Sequence, residues 1–374
     1  MVPKQRLGNS RKQGSLMGSK NSICVVLFLC LIFSYSTKRI SAANKLGVSA
    51  AASEQNAGSD EMSESRKLLG TGQKQRPKCT VKQGQEEVLS PISLNLLLAM
   101  GYRHFDTAKI YGSEPAVGKA LNEAICEGVV EREDIFLTSK LWGSDHHDPV
   151  SALKQTLENL GMEYLDMYLV HWPVKLKPWV NYPVPNEDDF EKLELENTWA
   201  GMEKCLEMGL CRCIGVSNFS SKKIESLLDY ASTTPAVNQV EMHPMWRQER
   251  LRKTCGDHKI HLSAYSPLGG PGNAWGSTAV VNHPIITSIA LKHRATPAQV
   301  ALNWGLSKGS SVIVKSFNEE RMKENMGSFD LRLDDEDMLE IEKLEEMKIM
   351  RGEFHVNETT SPYKTIEELW DGEI

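Results

Sequence analysis

Residues 101–114 read GYRHFDTAKIYGSE. The pattern over 102–107 is that of a short strand, expected to end in an exposed acid, Asp106, before a turn that carries Tyr111. Two later stretches close in the same way. FLTSKLW at 136–142 is a strand pattern ending in Lys140, and MYLVHWP at 167–173 is one ending in His171. An acid, a phenol, an ammonium and an imidazole therefore fall at the same ends of three successive strands. In a parallel barrel those ends share one face, and that face is where chemistry is done.

Outward from these stretches the chain alternates. Strands are expected at 102–107, 135–141, 165–171, 212–217, 236–242, 260–265 and 311–315. Most are near-continuous apolar runs, as strands covered on both faces should be. Between them lie helical patterns at 116–125, 149–160, 198–208, 222–230 and 297–306, the last opened by Thr296 as cap and Pro297 as first helical residue. Pro91 and Gly101 bracket a further helix ahead of the first strand. Alternation over some 250 residues predicts an α/β fold of the (β/α)8 TIM type. A doubly wound sheet also alternates, but no GxGxxG follows any strand, so its dinucleotide fingerprint is missing.

Seven strands are legible, whereas eight close such a sheet, and an open one exposes two unpaired edges. Upstream of 90 the text changes character. Residues 1–43 form a basic leader followed by the uncharged apolar run 23–33 and the small residues Ser41-Ala42-Ala43, a signal-peptide pattern. The run is shorter than the ~20 residues that span a bilayer, so a signal anchor over 21–37 is marginal. Residues 44–89 are polar and poor in aromatics and read as a disordered linker, which leaves 90–374 as the barrel with its tail. Asn218 and Asn357 lie in glycosylation sequons, which fits a secreted chain poorly, because Asn218 falls at a strand end on the chemical face.

The chain has 374 residues with 43 basic and 49 acidic side chains, net −6, and no basic patch that would suit nucleic acid. Its eight cysteines show no CxxC pair and no zinc spacing, and His146-His147 between two aspartates is one crowded loop without a distant partner; no metal is expected.

Eight ordered stretches carry a more specific likeness: GYRHFDTAKIYGSE, FLTSKLW, LDMYLVHWP, IGVSNFS, AVNQVEMHP, LSAYSPLG, VIVKSFNEERMKEN and the tail SPYKTIEELWDGEI. Together they resemble the aldo-keto reductase family over about residues 90–374, in its plant NADPH-dependent branch. The resemblance implies reduction of an aldehyde or ketone, a small-molecule carbonyl substrate, a monomer and a cytoplasmic setting; the leader points elsewhere, and membrane contact arises only if 21–37 is kept as an anchor. It implies a tetrad of Asp106, Tyr111, Lys140 and His171. Tyr111 is then the proton donor, Lys140 lowers the cost of the phenolate, Asp106 holds Lys140, and His171 orients the substrate oxygen.

For the cofactor, the resemblance puts Ser217, Asn218 and Gln239 on the nicotinamide carboxamide, Tyr265 on the ring face, and Ser266 with Leu268 along the pyrophosphate. Lys315, Ser316, Phe317, Arg321, Glu324 and Asn325 open a helix suited to a 2′-phosphate, hence NADPH, with Ser316 and Glu319 expected as its capping box. Trp142 and Trp172 are implied pocket walls, and the tail 350–374, with Trp370, is expected to fold over the barrel mouth. The family's N-terminal hairpin and first strand have no recognisable counterpart here. A non-catalytic or impaired NADPH-binding barrel is therefore the alternative reading.

Overall fold

The computed structural model describes residues 30–33 and 91–374. Eight strands close into a barrel: β1 (Cys30–Phe33), β2 (His104–Asp106), β3 (Phe136–Leu141), β4 (Leu165–Val170), β5 (Cys211–Ser217), β6 (Val237–Glu241), β7 (His261–Tyr265) and β8 (Ser311–Val314). All seven strands expected from the sequence are present, each within two residues of its expected ends. From β2 round to β8 the neighbours pair in parallel. LDMYLV in β4 is buried at every position, as the continuous apolar run requires.

The eighth place is the departure from expectation. β1 lies between β8 and β2 and runs antiparallel to both, with Leu31 opposite Val314 on one side and Phe105 on the other. These four residues belong to the apolar run that reads as a leader core. The physical reason is hydrogen bonding: seven strands leave a row of unpaired N–H and C=O groups on β2 and on β8, and an extended apolar segment satisfies both rows. The rest of the leader and the stretch 44–89 lie outside the described residues. Among the described residues no helix is long and apolar enough to cross a membrane.

The helices that cover the barrel begin with α1 (Pro91–Ala99), α2 (Glu114–Cys126), α3 (Pro149–Leu160), α4 (Leu195–Glu207), α5 (Ser221–Leu228) and α6 (Glu249–Asp257). They continue with α7 (Pro284–His293), α8 (Pro297–Ser307), α9 (Glu319–Met326), α10 (Asp335–Glu342) and α11 (Ile366–Trp370). Local chemistry sets their ends. The Asp148 side chain accepts from Ser151 N to start α3, and Gly161 at φ 60° stops it. Thr296 and Gln299 form a reciprocal capping box at α8. α2 and α3 cross so closely that a Cβ on Gly118 would lie 2.2 Å from the Leu160 carbonyl oxygen.

Two apolar clusters matter for the site. The main core lies between strands and helices, from Leu94 to Leu344. A second cluster sits over the strand ends and joins Trp142, Trp172, Val174, Phe190, Leu369 and Trp370. It ties the β4 connection to the C-terminal tail, and the short ladder Lys175–Leu176 with Phe190–Glu191 stiffens that connection.

Candidate active site

β2 and β3 are adjacent and parallel, with Asp106 at the end of β2 opposite Thr138, so that Lys140 lies two residues further along β3. Lys140 Nζ pairs with Asp106 Oδ1 and donates to the Thr107 carbonyl oxygen at 3.0 Å. Asp106 is 1% exposed, against the expectation of an exposed acid. The reason is that its other oxygen is used inside the barrel, where Gln239 Nε2 on β6 donates to Oδ2 at 2.9 Å. Burial pushes the Asp106 carboxyl up, against the pull of the Lys140 ammonium and the two hydrogen bonds.

Tyr111 hangs from the short 3-10 turn Lys109–Tyr111 after β2, closed by Gly112 at φ 66°. Its hydroxyl is 3.2 Å from His171 Nε2, and its ring lies 4.9 Å from Lys140 Nζ. His171 follows β4 and meets Tyr111 edge-on, with centroids 5.4 Å apart and an interplanar angle of 83°. Burial first, then the charge of Lys140, holds the His171 imidazole well below its usual range, so it is neutral near pH 7. The four residues expected together are together. Such a grouping can release a phenolic proton toward a bound oxygen and stabilise the phenolate left behind, because an ammonium lies within a ring's width.

A second ring of contacts runs along the strand ends. Asn218, just past β5, sits at φ 62°, a left-handed conformation that asparagine tolerates. This turns its side chain back, so that Nδ2 donates to the His171 carbonyl oxygen at 2.9 Å while Oδ1 accepts from the Tyr265 hydroxyl at 2.8 Å. Ser217 Oγ donates to the Gln239 carbonyl oxygen at 2.8 Å. Ser217, Asn218, Gln239 and Tyr265 are thereby locked to one another and to the tetrad. Asn218 is also 2% exposed, which leaves no room for a glycan on the folded chain. Ser266 and Leu268 follow β7 half-buried.

The turn from β8 into α9 forms a separate group. Lys315, Phe317 and Arg321 are exposed there, Ser316 and Asn325 are buried, and Lys315 Nζ lies 5.5 Å from the Phe317 ring. The expected capping box of Ser316 and Glu319 does not form. Asn318 caps α9 instead, its Oδ1 accepting from Arg321 N at 2.9 Å, because Ser316 Oγ is engaged by the Asn318 backbone. Glu324 takes part through its carbonyl oxygen, which accepts from Gln299 Nε2 at 2.9 Å. Away from the barrel mouth, His293, Asp334 and Asp337 have metal-ligand spacing, and the Lys292 ammonium lies 2.8 Å from both aspartates.

Trp142 packs edge-on to His171 at 5.4 Å, and Trp172 meets Trp370 of the tail at 5.8 Å. Two residues with no signal in the sequence appear here, one just before the tail and one in it. His355 packs on Trp172 at 4.6 Å and on Trp142 at 6.2 Å. Lys348 points its Nζ at the Trp370 face from 3.4 Å and at Trp246 from 4.9 Å; burial lowers its ammonium to about 8. Neither belongs to a recognisable spacing, and only the fold of the tail brings them inside.

Comparison with known proteins bears on the family and the fold. The sequence profile described as "Aldo/keto reductase family" matches residues 69–346. A 7-acetyl-epi-neemfruitin B aldo-keto reductase of Melia azedarach is 45% identical over 310 residues, covering 82% of this chain and 94% of its own. Deoxymugineic acid synthase 1 of Zea mays is 47% identical over 281 residues, covering 74% and 89%. Among solved structures, the aldose reductase from Schistosoma japonicum superposes with a TM-score of 0.67 at 33% identity, over 73% of this chain and 90% of that one. The chain belongs to the aldo/keto reductase family of oxidoreductases, in company with plant reductases.

Proposed function

We propose that the chain is an NADPH-dependent reductase that converts an aldehyde or ketone to the alcohol, with Tyr111 as the proton donor. The observation that carries this reading is the Tyr111 hydroxyl 3.2 Å from His171 Nε2 with the Lys140 ammonium 4.9 Å from the phenol ring. A neutral His171 donates a hydrogen bond to the carbonyl oxygen and holds it beside the phenol. Charge grows on that oxygen as carbon is reduced. Tyr111 then gives up its proton to the oxygen, and the phenolate is stabilised by Lys140, which Asp106 and the Thr107 carbonyl hold in place.

The donor set fits a phosphorylated nicotinamide dinucleotide. Ser217, Asn218 and Gln239 put a hydroxyl and two amides at the ends of β5 and β6, and the Tyr265 ring is fixed beside them by its bond to Asn218. Such a cofactor supplies the hydride when bound. Arg321 is exposed at the start of α9 and makes no ion pair among the described residues, which suits the 2′-phosphate that separates NADPH from NADH. The names of the two plant relatives point to 7-acetyl-epi-neemfruitin B and to deoxymugineic acid; for this chain the substrate is proposed only as a small carbonyl compound. One observation favours a second reading, a barrel that binds cofactor without turnover: β1 runs antiparallel in the place of a parallel first strand.

The test uses the full chain with NADPH, NADH and an aromatic aldehyde, followed by cofactor oxidation. Arg321→Ala is expected to raise KM for NADPH about tenfold and to leave NADH nearly unchanged. Equal weakening of both would remove the phosphate assignment, and binding without oxidation would establish the second reading.

A further inference from the structure

His355 is the buried histidine with neither ring nitrogen satisfied among the described residues. Every other enclosed histidine of the barrel uses at least one. His104 bonds Thr138, His171 bonds Tyr111, His243 bonds Glu241, His261 bonds Ser311, and His146 reaches Thr198. A neutral imidazole always carries one N–H, and leaving a buried donor and acceptor unpaired disfavours folding.

The position of the ring is fixed. It sits on the 3-10 turn Glu353–His355, entered through Gly352 at φ 74°. His355 N donates to the Gly352 carbonyl oxygen at 2.9 Å, and Ser361 Oγ donates to the His355 carbonyl oxygen at 2.7 Å. A Cβ on Gly352 would meet the Trp172 ring at 3.1 Å, so the turn is seated hard against that wall. The imidazole then lies among Trp142, Trp172 and Phe354, and Trp142 is shared with His171. An unpaired polar group thus stands one indole away from the group that holds the carbonyl.

We propose that His355 is a specificity residue that recognises a second, uncharged oxygen function on the substrate, a hydroxyl or a second carbonyl, carried on a flat apolar body beside the reducible carbonyl. This rests on the reductase reading above and names the substrate class for that site. The flat body follows from Trp142, whose indole packs on both His171 and His355. The uncharged oxygen follows from the state of the ring: burial lowers the His355 imidazole to about 3, so it has no positive charge to offer a carboxylate, while its two nitrogens can donate to and accept from a hydroxyl.

The test compares 3- and 4-(hydroxymethyl)benzaldehyde with 3- and 4-ethylbenzaldehyde, which match in size and differ in one oxygen. With the full chain, the kcat/KM preference for the better hydroxymethyl isomer over its ethyl partner is expected to fall about tenfold in His355→Phe, through KM rather than kcat. His355→Asn, which keeps a donor and an acceptor, should restore part of that preference. A preference unchanged within about twofold in both isomers, or an equal loss for both members of each pair, would show a packing role and overturn the proposal. If the wild-type chain reduces none of the four, the reductase reading fails separately. The same pairs are then titrated by quenching of tryptophan fluorescence, where tighter hydroxymethyl binding lost in His355→Phe supports recognition and equal binding overturns it.

Discussion

The strand ends and the tail cage are neighbours that share Trp142, yet they are built on opposite plans. At the strand ends most polar atoms have a partner, His171 Nδ1 excepted among the described residues: Asp106 takes Lys140 and Gln239, Asn218 takes His171 and Tyr265, and Ser217 takes Gln239. In the cage Trp370 Nε1 and the Tyr363 hydroxyl donate to carbonyl oxygens, but other polar atoms lie against aromatic faces instead. Among the described residues His355 keeps both nitrogens unpaired, Trp142 keeps its Nε1 unpaired, and Lys348 rests on Trp370 without a hydrogen bond. The first plan makes a rigid arrangement that holds its geometry without a ligand. The second leaves hydrogen-bonding capacity for something else to use. Chemistry common to a family belongs on the first kind of surface and selection of a substrate on the second.

The largest expected effect breaks the strand-end network at its centre. Lys140→Met leaves the Asp106 carboxylate buried with only Gln239 beside it, and should cost about 3–5 kcal/mol of stability. Urea unfolding of the two proteins checks this. A midpoint unchanged by the substitution would mean that Asp106 is protonated in the native chain and needs no cation.

A smaller effect sharpens the comparison, because buried imidazoles lie in both regions. Burial holds His146 and His355 at about 3, His261 at about 4, and His104 and His171 well below 6.5. Unfolded histidine takes its proton near 6.5. Between about pH 6.5 and 4 the unfolded chain therefore binds more protons than the native one, and stability falls as the pH drops through that window. Asp106, Glu114 and Asp166 are raised by burial and work in the other direction, offsetting at most three of the five imidazoles. Unfolding at pH 5 should thus take up roughly two protons or more. Calorimetry in buffers of different ionisation enthalpy measures the uptake, and a value near zero would mean that these rings are hydrated.

Much of this could be read in the sequence, for definite reasons. Parallel strands covered on both faces are continuous apolar runs, so β2 to β8 stand out, and barrel geometry then carries Asp106, Lys140 and His171 to one mouth. Side-chain pairing between distant strands has no such signature: nothing in 236–242 says that Gln239 reaches across the barrel to Asp106, or that this buries the acid. The α9 cap was misplaced because Ser316 and Asn318 both suit a cap, and only the course of the chain decides that Ser316 serves the Asn318 backbone. β1 was hidden for another reason. An apolar leader core and a buried strand have the same composition, and what distinguishes Cys30–Phe33 is the pair of open edges that receives it. His355 carries no spacing at all, since its place depends on the tail folding back on Trp172.

The central claim is that the Tyr111 phenol delivers the proton. The most direct measurement is NADPH oxidation by the full chain with an aromatic aldehyde, beside the Tyr111→Phe variant, with cofactor binding followed in both by tryptophan fluorescence. The account predicts unchanged NADPH affinity and a kcat lowered about 10²–10⁴-fold, the usual worth of a positioned acid. Turnover retained within about threefold would contradict it and move the proton to another group.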